Sequence, residues 1–206
     1  MNLKRALAAT FLAGAVTLTA GGTAHAENFF KMLFQGSDNF RPQASGPGAA
    51  VPYKYQRQRV RYNTSEKPGT IVIHSDEKFL YLVEGNGKAM RYGVGVGREG
   101  FGWKGNVTIG RKAEWPGWTP PASMRARERA KGRILPAYME GGPKNPLGAR
   151  AMYLYRGGKD TIFRIHGTSE PWTIGHNVSS GCIRLVNADV SDLYSRVPVG
   201  TKVVVR

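Results

Sequence analysis

The single cysteine of this 206-residue chain, Cys182, stands in the segment NVSSGCIR, residues 177–184. A lone cysteine fits three interpretations: an inert residue in the core, one half of a bridge between two chains, or a nucleophile. Attack by sulfur requires loss of the thiol proton, and an imidazole within hydrogen-bond reach can take it and lower the pKa of the thiol below about 8.5. His166, sixteen positions earlier, is the first candidate for that base.

His166 ends a predicted strand over residues 161–166 and is followed by Gly167. Glycine lets the backbone fold closely behind the imidazole ring, so a main-chain carbonyl there can orient the ring in place of the carboxylate of a conventional triad. His176, six residues before the cysteine, is the rival base. Because His176 lies in a predicted loop and not at the end of a strand, His166 is the preferred candidate for the base.

The residues next to the cysteine have types suited to binding a substrate. Ser179, Ser180 and Gly181 form a predicted tight turn whose N–H groups can stabilise a developing oxyanion. Arg184 follows two positions after the cysteine, and its guanidinium can bind a carboxylate through two parallel hydrogen bonds. We therefore assign these residues to substrate binding.

The sequence HGT at residues 166–168, followed by SSGCIR at residues 179–184, resembles the signature of the L,D-transpeptidase (YkuD-like) family. The stretches WPGWTPP (115–121) and NPLG (145–148) also resemble family segments, and the resemblance extends over residues 69–206. One position departs from the pattern, because the residue before Gly181 is often histidine in the family and is Ser180 here.

The resemblance implies a mostly β fold, an antiparallel β-sandwich with one or two short helices. It implies that Cys182 is the nucleophile, that His166 acts as general base and then acid, and that the Gly167 carbonyl orients the imidazole. The substrate would be a peptidoglycan stem tetrapeptide, attacked at the amide between its third residue, a diamino acid, and the terminal D-alanine. No cofactor is implied, and carbapenems are expected to acylate Cys182.

The acceptor of the acyl group stays open. An amine of a second stem peptide would give a 3→3 cross-link, while a D-amino acid or an envelope protein would give other products. A carboxypeptidase that uses water, and a noncatalytic murein-binding module, are the alternatives to a transpeptidase. Retention of both Cys182 and His166 argues against the module, because binding alone needs no reactive thiol.

Residues 1–26 have the pattern of a cleaved secretory signal, with Lys4 and Arg5 before an apolar run and Ala24-His25-Ala26 at its end. We expect the protein to be exported to the periplasm of a bacterial cell envelope, with no transmembrane segment in the mature chain. Residues 27–68 are predicted to form a basic, flexible segment, partly disordered or draped over the domain, and residues 69–206 the catalytic domain.

The formal net charge is +16, with 30 Lys and Arg against 14 Asp and Glu. For an exported protein such a charge favours an anionic envelope polymer or a membrane surface as partner, rather than nucleic acid.

One cysteine and scattered histidines give no metal-ligand spacing, so no metal site is predicted. The motif G-x-G-x-x-G at residues 95–100 matches the dinucleotide-binding fingerprint. We reject that interpretation, because residues 101–106 are unsuited to open a helix.

Alternating apolar residues and turn signals predict strands at 70–74, 79–83, 88–94, 151–155, 161–166 and 201–205. A helix is predicted after Asn187, which would cap its N-terminus, and a second, polar helix over residues 123–131. Trp115 and Trp118 lie in a Pro- and Gly-rich stretch, where they either pack in the domain or form the wall of a groove over the substrate. We place Trp118 among the substrate-binding candidates.

Overall fold

The computed structural model describes residues 51–99 and 102–206. The strands are β1 (Gln58–Arg61), β2 (Ile71–His74), β3 (Phe79–Gly85), β4 (Lys88–Gly93), β5 (Val96–Gly97), β6 (Gly105–Glu114), β7 (Arg150–Arg156), β8 (Lys159–His166), β9 (Asn177–Ser179), β10 (Ile183–Arg184) and β11 (Lys202–Val205). The helices are α1 (Ala122–Ala130) and α2 (Asn187–Arg196), with single 3-10 turns at Tyr53–Tyr55 and Pro171–Thr173.

Most of these strands belong to one sheet in the order β1-β4-β3-β2-β11-β6-β7-β8-β10, while β5 pairs with β9. Neighbours in the large sheet are antiparallel except at β2–β11 and β8–β10, where they are parallel. The expected mostly β class is confirmed. The β8–β10 pair joins the strand that ends in His166 to the segment that follows Cys182.

The sheet curls around one apolar core. Tyr92 on β4 and Ile165 on β8 lie near opposite ends of the sheet, yet both belong to the same buried cluster. Helix α2 contributes Val190 and Leu193 to this cluster, and neither side chain has exposed surface. Each such side chain stabilises the fold by about 1.5–3 kcal/mol through burial.

The antiparallel meander of β2, β3 and β4 follows the predicted pattern. Ile71 pairs with Leu82 in the first hairpin, and Leu80 pairs with Tyr92 in the second. The turn between β3 and β4 is formed by residues 86 and 87, whose φ angles of 51° and 67° are both positive. Asparagine and glycine tolerate this conformation best, which is why the Asn-Gly pair predicts a hairpin.

The described part of the basic N-terminal segment is draped over the domain rather than free. β1 pairs with β4, and Arg57 forms an ion pair of 3.0 Å with Asp192 of α2. The ring and backbone of Tyr55 lie against Gly93 and Gly175 so closely that a Cβ at either glycine would collide with it. Residues 1–50, which include the predicted signal, lie outside the described residues.

The segment with the dinucleotide-like motif leads into β6, a strand, through residues 102–104, which have no regular structure. The last glycine of the motif lies outside the described residues, and no helix opens in the part that is described. Among the helices of residues 51–99 and 102–206, none has the length and apolar character needed to cross a bilayer.

Candidate active site

The parallel pairing of β8 with β10 brings His166 and Cys182 to one cleft. Ile183 lies opposite Ile165 and Arg184 opposite His166. Both isoleucines are buried in the core. Since successive side chains of a strand point to opposite faces, His166 and Arg184 face away from the core, and Cys182 follows the same alternation. All three line a cleft of about 430 Å³.

The imidazole of His166 is fixed in one tautomer. Its Nδ1 lies 2.5 Å from the carbonyl oxygen of Gly167, and because a carbonyl only accepts, Nδ1 must carry the proton. Nε2 is then the unprotonated nitrogen and can accept a proton. Burial, followed by the positive charge of Arg184, lowers the pKa of His166 to about 3, so the ring is neutral at physiological pH.

The Gly167 carbonyl is positioned by close backbone packing behind the histidine. The side-chain oxygen of Asn187 accepts a hydrogen bond of 2.9 Å from the N–H of Ala149, and a Cβ at Gly167 would collide with that oxygen. The prediction that Asn187 caps α2 is therefore wrong. Helix α2 begins at Asn187 itself, Val186 occupies the capping position, and the asparagine side chain reaches back toward Ala149 and Gly167 instead.

The thiol of Cys182 is half-buried and protonated at rest. Burial raises its pKa, although the backbone N–H and the charge of Arg164 oppose the rise. The sequence-based expectation of a pKa below that of a free cysteine is therefore not met in this structure. Because His166 is also neutral, the two residues are a protonated thiol and a neutral imidazole in one cleft, rather than a preformed thiolate and imidazolium.

This protonation state predicts a pH profile for thiol reactivity. The thiolate fraction rises about tenfold per pH unit below the pKa, so the rate of iodoacetamide alkylation of folded Cys182 should climb steadily from pH 6 to beyond pH 9. In urea the same thiol should level off above about pH 8.5, its ordinary pKa. Intact-mass spectrometry follows both reactions. A plateau below pH 7 in the folded protein would indicate an ion pair and contradict the neutral assignment.

The turn before Cys182 is held by two hydrogen-bonding side chains. The Ser179 hydroxyl donates to the carbonyl of Cys182 at 2.6 Å and accepts from the N–H of Gly181 at 3.1 Å. Trp103 Nε1 donates to the carbonyl of Gly181 at 2.9 Å. Gly181 has a φ of 107°, which strongly favours glycine. The Gly181 N–H is therefore already bonded, and Ser179 shapes the turn while also lining the cleft.

Ser180, the residue that departs from the family pattern, lies between two arginines. Arg98 and Arg127 donate to its hydroxyl oxygen at 3.4 and 3.2 Å, respectively. Arg127 belongs to α1, so this contact joins the helix to the turn before Cys182. The buried carboxylate of Glu128 holds the end of that helix through Arg133 and Lys131.

Arg184, the predicted carboxylate clamp, lies at the base of the cleft and is 2% exposed. Its guanidinium lies 3.3 Å from the carboxylate of Glu170, which is also buried. Burial raises the pKa of Glu170 to about 7, although the charge of Arg184 opposes the rise. In this structure Arg184 thus pairs with a carboxylate of the protein itself, and that pair braces the loop after His166.

The buried pair predicts a large loss of stability when one partner is removed. Glu170→Ala leaves the Arg184 charge buried without its carboxylate and should lower the free energy of unfolding by about 3–5 kcal/mol. Urea denaturation at pH 8, where Glu170 is ionised, measures this. Glu114→Ala removes a side chain that is 62% exposed from a pair with Arg150, and should cost less than about 1 kcal/mol. Equal losses in the two variants would contradict the assignment.

The cleft is walled by α1, by the loop that carries Trp118, and by the bulged end of β8. Trp118 is buried and forms two backbone hydrogen bonds of 2.8 Å with Met139, so the groove-wall interpretation fits its position. Trp115 is 45% exposed and is not among the lining residues. The charged residues that line the cleft are Arg111, Arg127, Arg164 and Arg184, and the lining contributed by the described residues includes no carboxylate.

Comparison with known proteins finds a family match over the part of the chain that contains the cleft. Residues 68–205 match the family model described as the YkuD L,D-transpeptidase catalytic domain. The chain is 32% identical over 195 residues to the probable L,D-transpeptidase YbiS of Escherichia coli, across 91% of this chain and 62% of that protein. It is 35% identical over 170 residues to the probable L,D-transpeptidase ErfK/SrfK of Escherichia coli, across 82% of this chain and 51% of that protein.

The chain thus matches between about half and two thirds of the length of these relatives. Among solved structures, it is 53% identical to a protein of Brucella melitensis described as a probable carnitine operon oxidoreductase. That match covers 74% of this chain and 94% of the other, with a TM-score of 0.50.

Proposed function

Because the chain belongs to the L,D-transpeptidase family, we propose that it is an exported enzyme that acts on peptidoglycan stem tetrapeptides through a Cys182 acyl-thioenzyme. The observation that carries the proposal is the pairing of β8 with β10, which brings Cys182 and His166 to one face of the sheet and into one cleft. The Gly167 carbonyl supports the role of His166, because it leaves Nε2 free of its proton.

The first half of the reaction forms the acyl-enzyme. Nε2 of His166 removes the thiol proton as Cys182 attacks the carbonyl between the diamino acid and the terminal D-alanine. The neutral state of both groups favours proton transfer at the moment of attack. The protonated imidazole then donates that proton to the leaving amine, and D-alanine departs.

The second half transfers the acyl group to an acceptor. His166 removes a proton from an amine of a second stem peptide, which attacks the thioester carbonyl and forms the amide of a 3→3 cross-link. The carbon–sulfur bond breaks, and the sulfur of Cys182 takes the proton back from the imidazole to restore the thiol. An amine of an envelope protein or a D-amino acid can enter at the same step. Water at this step would make the enzyme an L,D-carboxypeptidase.

The proposed substrate-binding residues differ in how they act. Arg184 lies under the reaction centre and contributes positive charge, while Trp118 walls the cleft. Ser180 offers a hydroxyl whose oxygen accepts from two arginines, so its own proton is available to a substrate oxygen. Ser179 and Gly181 act by shaping the turn that presents the thiol.

A product assay tests the proposal. The purified protein is incubated with disaccharide tetrapeptide, and the products are identified by mass spectrometry. A cross-linked dimer with loss of D-alanine supports the transpeptidase, and plain tripeptide supports the carboxypeptidase. Unchanged substrate from folded protein supports the binding module and refutes both enzymes.

Carbapenem acylation provides an independent view of the same thiol. Intact-mass measurement should find one adduct on Cys182 after incubation with a carbapenem. An active preparation that forms no adduct would count against this part of the proposal.

A further inference from the structure

A row of cationic and aromatic side chains crosses the sheet beside the nucleophile. Arg111 on β6 pairs with Tyr153 on β7, and Tyr153 pairs with Arg164 on β8. The guanidinium carbons of Arg111 and Arg164 lie 3.5 and 4.3 Å from the centre of the Tyr153 ring. In the parallel register of β8 and β10, the next position in the row is Cys182. The row therefore leads directly to the reactive sulfur, and all of its members line the cleft.

The two arginines of the row differ in their partners. Arg164 forms a forked ion pair with Asp160, with bonds of 2.7 and 2.9 Å. The same carboxylate accepts the N–H of Ile162 at 2.8 Å. Burial acts to raise the pKa of Asp160, but the Ile162 N–H and Arg164, with a smaller effect from Arg111, hold it below its ordinary value. Asp160 is thus already bonded to Arg164.

Arg111 is exposed and held by the ring of Tyr153. Within residues 51–99 and 102–206, no carboxylate lies within ion-pair distance of its guanidinium. A guanidinium stacked on an aromatic ring has lost much of its freedom but keeps its donors, which suits it to bind a planar anion. The row therefore presents a preorganised site for a carboxylate.

The position of Arg111 indicates which part of a substrate it can reach. Its guanidinium lies over β7, two strands away from the segment that carries Cys182, which corresponds to roughly 10 Å at about 4.8 Å per strand. A carboxylate bound there is too far from the sulfur to belong to the reacting amide. It matches instead the distal end of a long side chain on the residue whose carbonyl is attacked.

We propose that Arg111 is a specificity-determining residue that binds a free carboxylate at the side-chain end of the donor's diamino acid. The inference rests on the proposed function, since it names the form of the stem peptide that the same cleft accepts. Donors whose side-chain carboxylate is amidated, or replaced by hydrogen as in lysine, lose this contact.

The test compares two tetrapeptide donors that contain diaminopimelate as third residue, with the side-chain carboxylate either free or amidated. The release of D-alanine without an added acceptor measures the first half-reaction alone. We expect the free acid to react at least about tenfold faster, the factor that one charge-assisted hydrogen bond supplies. In Arg111→Gln the ratio of the free-acid rate to the amide rate should fall toward one. In Arg111→Lys it should lie between the ratios of the wild type and of Arg111→Gln.

Arg61→Gln serves as the matched control, because Arg61 is an exposed arginine on β1 and is not among the cleft residues. It should keep the wild-type ratio. Thermal unfolding of Arg111→Gln checks that the loss of its stack on Tyr153 leaves the domain folded. Equal rates for the two donors in the wild type, or an unchanged ratio in Arg111→Gln, overturn the proposal. Discrimination that appears only when an acceptor amine is added overturns it as well, because the carboxylate would then belong to the acceptor.

A binding measurement separates this inference from the proposed function. Calorimetry with the Cys182→Ala protein should show tighter binding of the free acid than of the amide, and Arg111→Gln in that background should remove the difference. If the wild type releases no D-alanine from either donor, the proposed function fails while the binding result still decides the role of Arg111. If D-alanine is released equally from both, the function stands and the inference fails.

Discussion

Replacing Cys182 with alanine is expected to lower the rate of D-alanine release from a tetrapeptide stem by at least about 10⁴-fold, to the background of the assay. In the proposed mechanism the acyl group is held on sulfur between the two half-reactions, and alanine provides no atom to which it can be attached. The remaining cleft still binds the donor, so the apparent affinity should change far less than the rate. Mass spectrometry of the stem products, with the protein in excess, measures the loss.

Cys182→Ser is the conservative companion to this variant. It preserves the size of the side chain, and its hydroxyl can accept the acyl group only poorly because a serine needs stronger activation than a thiol. Circular dichroism should give the wild-type spectrum for both variants, since Cys182 lies at the cleft face and not in the main core. Activity in Cys182→Ala close to that of the wild type would refute the nucleophile assignment.

Replacing His166 with glutamine is expected to lower the rate of the first half-reaction by about 10²–10⁴-fold. The glutamine amide lies near the position of Nε2, but an amide is not basic and cannot accept the proton of the thiol. The rate of iodoacetamide alkylation of Cys182, followed by intact-mass spectrometry, should also fall in this variant, because no imidazole assists removal of the thiol proton.

His176→Gln is the matched control for the base. His176 makes backbone hydrogen bonds to Thr173 and Val96 and does not belong to the residues that line the cleft. Burial lowers its pKa as well, but the Gly167 carbonyl bonds to His166. Its replacement should change the rate by less than about twofold. A loss as large as that of His166→Gln would show that the base was assigned to the wrong histidine.

The parts of the fold that the sequence predicts are those defined by local chemistry. The β2–β3–β4 meander follows from alternating apolar residues and from the Asn86-Gly87 turn. The helix over residues 187–196 follows from its apolar stripe, although the capping role given to Asn187 is wrong. Helix α1 lies where the polar pattern of residues 123–131 predicts it.

The strands that were missed have weak local signals. β6 is the clearest case, because only Val107 and Ile109 of its residues are buried, and a register shift next to Gly110 interrupts the alternation. β10 is too short to have a period and exists because it pairs with β8. Arg111 was overlooked for the same reason as β6, since a charged residue in a mostly polar stretch is usually solvent-exposed.

The candidate thiol and base can be proposed from the sequence, but their electrostatics cannot. The types and spacing of His166 and Cys182 indicate a thiol and its base, and the structure brings both to one cleft. The direction of the Cys182 pKa depends on burial by residues distant in sequence, which no local pattern reports. The pairing of Arg184 with Glu170 depends likewise on a loop that folds back under the cleft.

The strand β1 forms one edge of the large sheet and covers β4. Without it, β4 would present a row of unsatisfied N–H and C=O groups, the kind of edge that templates aggregation between copies. β1 is the edge strand in place of β4, and its charged residues Arg59 and Arg61 disfavour pairing with a further strand. The residues just before the family domain therefore provide a charged edge strand, the kind of edge that disfavours strand pairing between copies of a chain.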